Sequence, residues 1–179
     1  MKFDDYFFDF LNNGIFQKRK VENNYDESST TNSKLCSECG GKCCMRCGCH
    51  FNPNDFKDIS YETLKAEIEK GYISIEWVDG EAVLRPGGVY ILRVRNVGKP
   101  IVDNSYDRSP CILWSEKNGC KLSYEKRPLG GRLLIPMKGY DYFTKKEEYM
   151  CHNEYDIDAC FDDWAKYQEV LRKLVEYFR

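Results

Sequence analysis

Six of the ten cysteines in this 179-residue chain fall within the fourteen residues 36–49, in "CSECGGKCCMRCGC". This crowding limits what the chain can become more than any other feature does. Cys36 and Cys39 are separated by two residues, as are Cys44 and Cys47, and Cys43 and Cys49 interleave with them. Two thiolates at that spacing can meet one tetrahedral ion at about 2.3 Å from each sulfur. Gly40, Gly41 and Gly48 suit the positive-φ turns that wrap a backbone around sulfur. A disulfide framework fits poorly, because adjacent Cys43 and Cys44 make a strained pair and no secretory context is evident. A redox dithiol needs one activated pair and leaves the other eight cysteines without a role. Metal ligation accounts for both the crowding and the survival of the thiols.

Distant residues extend the pattern. Cys111 and Cys120 bracket the hairpin-like "ILWSEKNG", and Cys151 lies further on. The two histidines, His50 and His152, each directly follow a cysteine. His50 is a candidate ligand, with an outer supporting role as the alternative. Cys160 stands four residues before Trp164 on the apolar face of the last helical stretch, which argues for a core thiol.

The remaining sequence predicts an α+β architecture: a small antiparallel sheet, flanking helices, and loops pinned by a cysteine-rich metal site. Residues 1–35 divide into an aromatic helix over 1–13 and a polar tether, "ENNYDESSTTNSK". That helix either docks on the chain's own core or recruits a partner. Residues 36–179 form the cysteine-cluster domain. Within it, Ser60 reads as the N-cap of a helix carrying Leu64 and Ile68 and closed by Gly71. Alternation of Ile73, Ile75 and Trp77 against Ser74 and Glu76 predicts a half-exposed strand, with Asp79-Gly80 as a tight hairpin turn. "PGG" at 86–88 is a second turn and Val89–Val97 a second strand. The apolar spacing of Trp164, Tyr167, Leu171, Leu174, Val175 and Phe178 predicts one long terminal helix.

Net charge is −2 and the basic residues are scattered, which argues against a nucleic-acid surface. No run of 18 apolar residues predicts a membrane span. The acidic, aromatic N-terminus lacks the pattern of a secretory signal, so the expected location is cytoplasmic. A protein or peptide is the expected class of partner, and nothing sets the oligomeric state.

The order Cys36-x2-Cys39-x3-Cys43-Cys44, then Cys111, then "GCKLSYEKRP" resembles the YkgJ-type cysteine-cluster family, described as a zinc- or iron-chelating domain and related to flagellin lysine methylases. The resemblance spans roughly residues 36–155. The family's second element is matched by Cys120, Leu122, Tyr124 (one residue late), Arg127, Pro128 and Arg132. Its cysteine before the last arginine is Gly131 here, which leaves Cys47, Cys49 or His50 as substitutes. Cys151 stands for the family's late cysteine, with Cys160 as the competing choice. The resemblance thus implies a metal set drawn from Cys36, Cys39, Cys43, Cys44, Cys47, Cys49, Cys111, Cys120 and Cys151. Seven of these plus one of Cys47 or Cys49 make eight thiolates, enough for two four-coordinate sites or for one cluster and one zinc.

Four thiolates serve zinc and iron–sulfur clusters alike. Zinc suits the joining of segments far apart in sequence, and an iron–sulfur cluster is the alternative cofactor. Three functions follow. One is a module whose metal mainly organises the fold. Another is an enzyme modifying a peptide or small molecule by group transfer, in which Arg127 and Arg132, flanking Gly130-Gly131, hold an anionic group. The last is a metal storage or delivery protein. For the arginines the competing role is structural hydrogen bonding to loop carbonyls. No catalytic set of the Ser/His/Asp or paired-carboxylate kind is evident.

Overall fold

The structure, a computed structural model, describes residues 40–41, 44–45, 48–104, 109–116, 119–141, 146–153 and 155–179, with side chains described outside 135–153. The expected N-terminal helix and tether, and Cys36, Cys39, Cys43 and Cys47, lie outside the described residues.

The first helix, α1 (Tyr61–Glu69), begins as expected. Ser60 is its N-cap and its side chain accepts from the Thr63 N–H, while Leu64 and Ile68 are buried. Gly71, at φ +86°, turns the chain out of the helix. Strand β1 (Ile73–Asp79) follows and pairs antiparallel with β2 (Gly88–Val94), from Ile73 opposite Val94 to Asp79 opposite Gly88.

Two expectations about this hairpin are corrected. Asp79-Gly80 is not a two-residue turn between strands. Gly80 opens a 3-10 turn (Gly80–Val83) capped by Asp79, and the chain needs residues 80–87 to return. The glycine is required by crowding: a Cβ at position 80 would lie 1.7 Å from the Gly87 carbonyl oxygen. Nor is β1 half-exposed. Ser74 and Glu76 are as buried as Ile73 and Ile75, and Trp77 on the supposed inner face is only partly covered. Both faces are occupied, so polar alternation marks a buried polar layer here.

Beyond β2 come a short hairpin of β3 (Trp114–Ser115) and β4 (Gly119–Cys120), then a single helical turn, α2 (Leu129–Arg132). A long hairpin of β5 (Leu134–Asp141) and β6 (Lys146–Asn153) was not legible in the sequence. Among the described residues there are three sheets of two strands each, all antiparallel.

The terminal stretch is two helices, α3 (Ile157–Ala165) and α4 (Gln168–Phe178), not one. Gln168 explains the break. Its side-chain amide accepts from the Tyr90 N–H and donates to the Tyr90 and Trp164 carbonyls, so it clamps the interhelix corner onto the β2 backbone. Both helices pack on β2, and α1 packs on α4 and β1. Trp164, Leu171, Leu174, Ile75, Ile91 and Leu92 form the dry centre. Each such side chain contributes about 1.5–3 kcal/mol through burial. No helix among the described residues is long and apolar enough to cross a membrane.

Candidate metal centre

The cysteine-bearing segments are joined to the fold through main-chain bonds, and Cys44, Cys49 and Cys111 also pack against the apolar core. Residues 48–51 run antiparallel beside β2: the Val94 N–H donates to the Cys49 carbonyl, the Phe51 N–H donates to the Leu92 carbonyl, and His50 bridges Arg93. Gly48 is required at the start of this run. A Cβ there would fall 1.9 Å from the Val94 carbonyl oxygen, and the strand would be driven off β2.

The Cys111 segment is bound to the same edge. The Cys111 N–H donates to the Cys44 carbonyl at 2.7 Å, Ile112 to Arg95 at 3.0 Å, and Val97 to Pro110 at 2.8 Å, with Asn96 bridging Cys111. Two cysteines 67 positions apart are thereby brought within one hydrogen bond of each other along the backbone. Cys120 enters through the β3–β4 hairpin, opposite Trp114. The Trp114 indole donates to the Gly40 carbonyl at 3.3 Å, and a Cβ on Gly41 would lie 2.7 Å from its nitrogen. The hairpin therefore lies against the Gly40-Gly41 turn of the cysteine segment.

The α2 turn closes another side. The Gly130 N–H donates to the His50 carbonyl, and a Cβ at 130 would meet that oxygen at 2.8 Å. At Gly131 a Cβ would lie 2.9 Å from the Cys49 Sγ and 3.3 Å from the Arg127 Cβ. The sulfur of Cys49 thus occupies the space that a side chain at 131 would enter. Asp55 anchors the turn: its carboxylate accepts from the Asn52 and Leu129 N–H groups and from the Arg132 guanidinium at 2.9 Å.

Arg132 also donates to the Arg127 carbonyl at 2.7 Å, so its guanidinium is engaged on both sides by this loop. Arg127 donates through Nε to the Leu122 carbonyl at 3.4 Å and lies over the Tyr124 ring. Both arginines line a cavity of about 560 Å³ whose walls include Phe51, Phe56, Tyr72 and Leu122.

The charges around this edge are strongly shaped by burial. Burial, reinforced by the positive charge of Arg93, lowers His50 to about 4, so its imidazole is neutral near pH 7 and has a lone pair to offer. Arg93 lies between Glu76 (3.1 Å) and Asp103 (3.2 Å), and all three are nearly excluded from solvent. Burial raises Glu76 to about 7, against the pull of Arg93 and with the help of Asp103. Cys160 is elsewhere in character. It is fully buried in α3 among core side chains, and burial pushes its thiol up to about 12 despite the opposing hydrogen bond with Tyr155.

Of the expected ligands, Cys44, Cys49, Cys111 and Cys120 have described side chains, and the first three border one sheet edge. Cys36, Cys39, Cys43 and Cys47 lie outside the described residues, as does the side chain of Cys151, whose backbone is in β6 opposite Pro136. Among the described residues, no three His, Cys, Asp or Glu side chains converge closely enough to hold an ion. Sequence reasoning missed Asn96, Asp55 and Trp114, which position this region through single polar contacts that no spacing rule exposes. Comparison with protein-family models, with curated proteins and with solved structures finds no match for this chain.

Proposed function

We propose that this protein is a cysteine-cluster metal-binding protein, with zinc as its ion, an iron–sulfur cluster as the alternative, and a metal that mainly organises the fold. The observation that carries the reading is the 2.7 Å bond from the Cys111 N–H to the Cys44 carbonyl. Cys111 is buried in the apolar core and Cys44 and Cys49 pack against it, but apolar packing gives no reason for all three to be cysteine. Binding an ion there gives one, because each thiolate recruited adds to the folding free energy. The resemblance to the YkgJ-type family points the same way, and Cys49, with its sulfur against Gly131, is the natural replacement for the thiol that family carries at that position. The neutral imidazole of His50 is in the protonation state of a ligand or of an outer hydrogen-bond donor. Protein purified without oxygen is expected to be colourless with stoichiometric zinc. Brown protein with iron and acid-labile sulfide would move the reading to a cluster. Metal-free, natively ordered protein would end it.

The cavity lined by Arg127 and Arg132 favours a second reading, in which the protein acts on a peptide or small molecule. An opening of about 560 Å³ with aromatic walls is of the size that holds small ligands. Arg127 is the better anion-binding candidate, because Arg132 is already committed to Asp55 and the Arg127 carbonyl. Aromatic carboxylates titrated into isotope-labelled protein are expected to shift the amides of residues 122–132, and Arg127→Ala is expected to abolish the shifts. Equal shifts in the variant would remove Arg127 from that role.

A further inference from the structure

The charged groups lining the cavity of about 560 Å³ differ in how far they are already committed. Its carboxylates are Asp55, Glu67 and Glu125, and its cations are Lys57, Lys126, Arg127 and Arg132. Asp55 holds Arg132 at 2.9 Å and accepts two backbone N–H groups, so both members of that pair are spent. Glu67 accepts from Lys70 at 2.6 Å and from the Tyr72 hydroxyl at 3.0 Å. Glu125 accepts from its own backbone N–H and from the Ser123 hydroxyl. Asp58, next to Lys57 in sequence, is turned to Ser60 and Thr63. By contrast, Lys57, Lys126 and both Nη groups of Arg127 have no hydrogen-bond or ion-pair partner among the described residues. Three uncommitted cations therefore stand against one unpaired carboxylate, Glu125, a surplus of two positive charges.

The loops that carry these cations are locked together without them. Lys57 follows the 3-10 turn Pro53–Asp55, and Lys126 and Arg127 end the 3-10 turn Tyr124–Lys126. The Asp55 carboxylate joins the two loops by accepting from the Leu129 N–H at 2.8 Å and from Arg132. Arg127 is fixed in turn through its Nε, which donates to the Leu122 carbonyl. Its guanidinium fork is thus in place before a ligand arrives, which lowers the cost of binding. The same cavity has an aromatic wall: the rings of Phe51 and Phe56 lie 5.2 Å apart, and Tyr72 is half-buried. A carboxylate brings one charge and two oxygens, which Arg127 alone can bind. A phosphomonoester carries about −1.5 to −2 charge at pH 7 and three acceptor oxygens, enough for a guanidinium fork and two ammonium groups. Resting on the second reading above, in which this cavity is a ligand site, we propose that its ligand is an aromatic phosphomonoester, its phosphate held by Arg127, Lys57 and Lys126 and its ring set against Phe51, Phe56 and Tyr72. A free small molecule and a phosphotyrosyl side chain of a peptide share this chemistry.

The test titrates the full chain with phenyl phosphate, benzoate and inorganic phosphate, by calorimetry and by amide shifts. Phenyl phosphate is expected to bind at least about 10-fold more tightly than either of the others and to shift the amides of residues 55–58 and 122–127. Lys57→Ala and Lys126→Ala are each expected to weaken phenyl phosphate about 5-fold and to leave benzoate nearly unchanged. Both lysines are exposed and unpartnered, so the fold does not depend on them. Benzoate binding as tightly as phenyl phosphate would overturn the phosphate assignment and leave the second reading standing. Inorganic phosphate binding as tightly would mean an adventitious ion only, and would overturn the proposal too. If no aromatic anion binds at these residues, the proposal and the second reading fall together. Where phenyl phosphate binds as expected, a short phosphotyrosyl peptide separates the two sources: tighter binding assigns the phosphate to a peptide, and weaker binding assigns it to a free small molecule.

Discussion

The β1–β2 hairpin with its helices and the cysteine-bearing edge beside it are adjacent, yet they are built on different terms. The first is held by side chains. Ile73, Ile75, Ile91, Leu92, Trp164, Leu171 and Leu174 exclude water from both faces of a two-stranded sheet, and apolar area of that kind stabilises without help. The second draws more on backbone. Glycines at 48, 130 and 131 allow chains to approach at distances that a methyl group would forbid, and single N–H to carbonyl bonds join segments from residues 44 to 130. Net contributions of such bonds are about 1 kcal/mol each, and the apolar side chains that accompany them, Ile112, Leu113, Leu129 and Leu133, are only partly buried. The difference shows where the proposed ion would act: at the edge, and not at the centre.

Under the metal-binding proposal, the largest expected effect comes from taking the ion away. Structural zinc contributes on the order of 10 kcal/mol. Under reducing conditions a chelator should expose the Gly48, Val97 and Cys111 amides to hydrogen exchange and leave those of β2 and α4 protected. Loss of protection in both regions together would show one cooperative unit and dissolve the contrast. Next in size is Trp164→Ala. It empties the centre of the core and also removes the indole donor to the Phe51 carbonyl (2.7 Å). A loss of about 3–5 kcal/mol is expected in urea titrations, with the metal content of the folded protein unchanged. Metal loss in the folded state would show that the edge depends on the core more than its backbone bonding suggests.

The same contrast explains what was legible beforehand. Helix α1 could be read to its cap because Ser60, Leu64, Ile68 and Gly71 follow local rules. The α3–α4 break could not, because Gln168 acts through Tyr90, 78 positions earlier. Ser74 and Glu76 passed as surface residues because alternation reports polarity, whereas burial on both faces depends on what packs above. At the edge, cysteine spacing nominated ligands but was silent on the amide of Asn96 and the carboxylate of Asp55. Their roles exist only once distant backbones are adjacent. The β5–β6 hairpin was missed for another reason: Pro136 weakens a strand pattern by removing a ladder donor, and the pairing with Cys151 is visible only in the register.

A third perturbation separates the regions by pH. Glu76 titrates near 7 in the folded chain against 4.5 for the free group, so the folded state holds the proton more tightly across that window. Its contribution is complete below pH 4.5 and is lost as pH rises through 7. His50 is depressed from 6.5 to about 4, which has the opposite sign: its contribution is complete above pH 6.5 and is lost as pH falls through 4. The two slopes oppose each other between pH 4.5 and 6.5. Glu76→Gln removes one of them, so stability of the variant should climb more steeply with pH over that range, by up to about 2 kcal/mol relative to wild type. Parallel profiles would mean that Glu76 stays ionised beside Arg93.

The smallest expected effect is also the most specific to the edge. Cys49→Ala removes a half-buried sulfur and should cost about 1 kcal/mol in stability, but if Cys49 is a ligand it should also remove one thiolate from the metal, read as a drop in sulfur-to-metal absorbance. A Cβ at 131 would lie 2.9 Å from the Cys49 Sγ, so Gly131→Cys in the Cys49→Ala background returns a sulfur to nearly the same space. Position 131 has no positive φ to forbid a side chain. Position 130 provides the control: a Cβ there meets the His50 carbonyl at 2.8 Å, so Gly130→Cys should disturb the backbone bond without restoring a ligand. Recovery of the lost absorbance by the 131 substitution, and not by the 130 substitution, would identify the space between α2 and Cys49 as part of the metal's surroundings. Failure of both, with the fold intact, would mean that Cys49 packs against α2 as an ordinary thiol and that the coordinating sulfurs lie along the Cys44–Cys111 side of the edge.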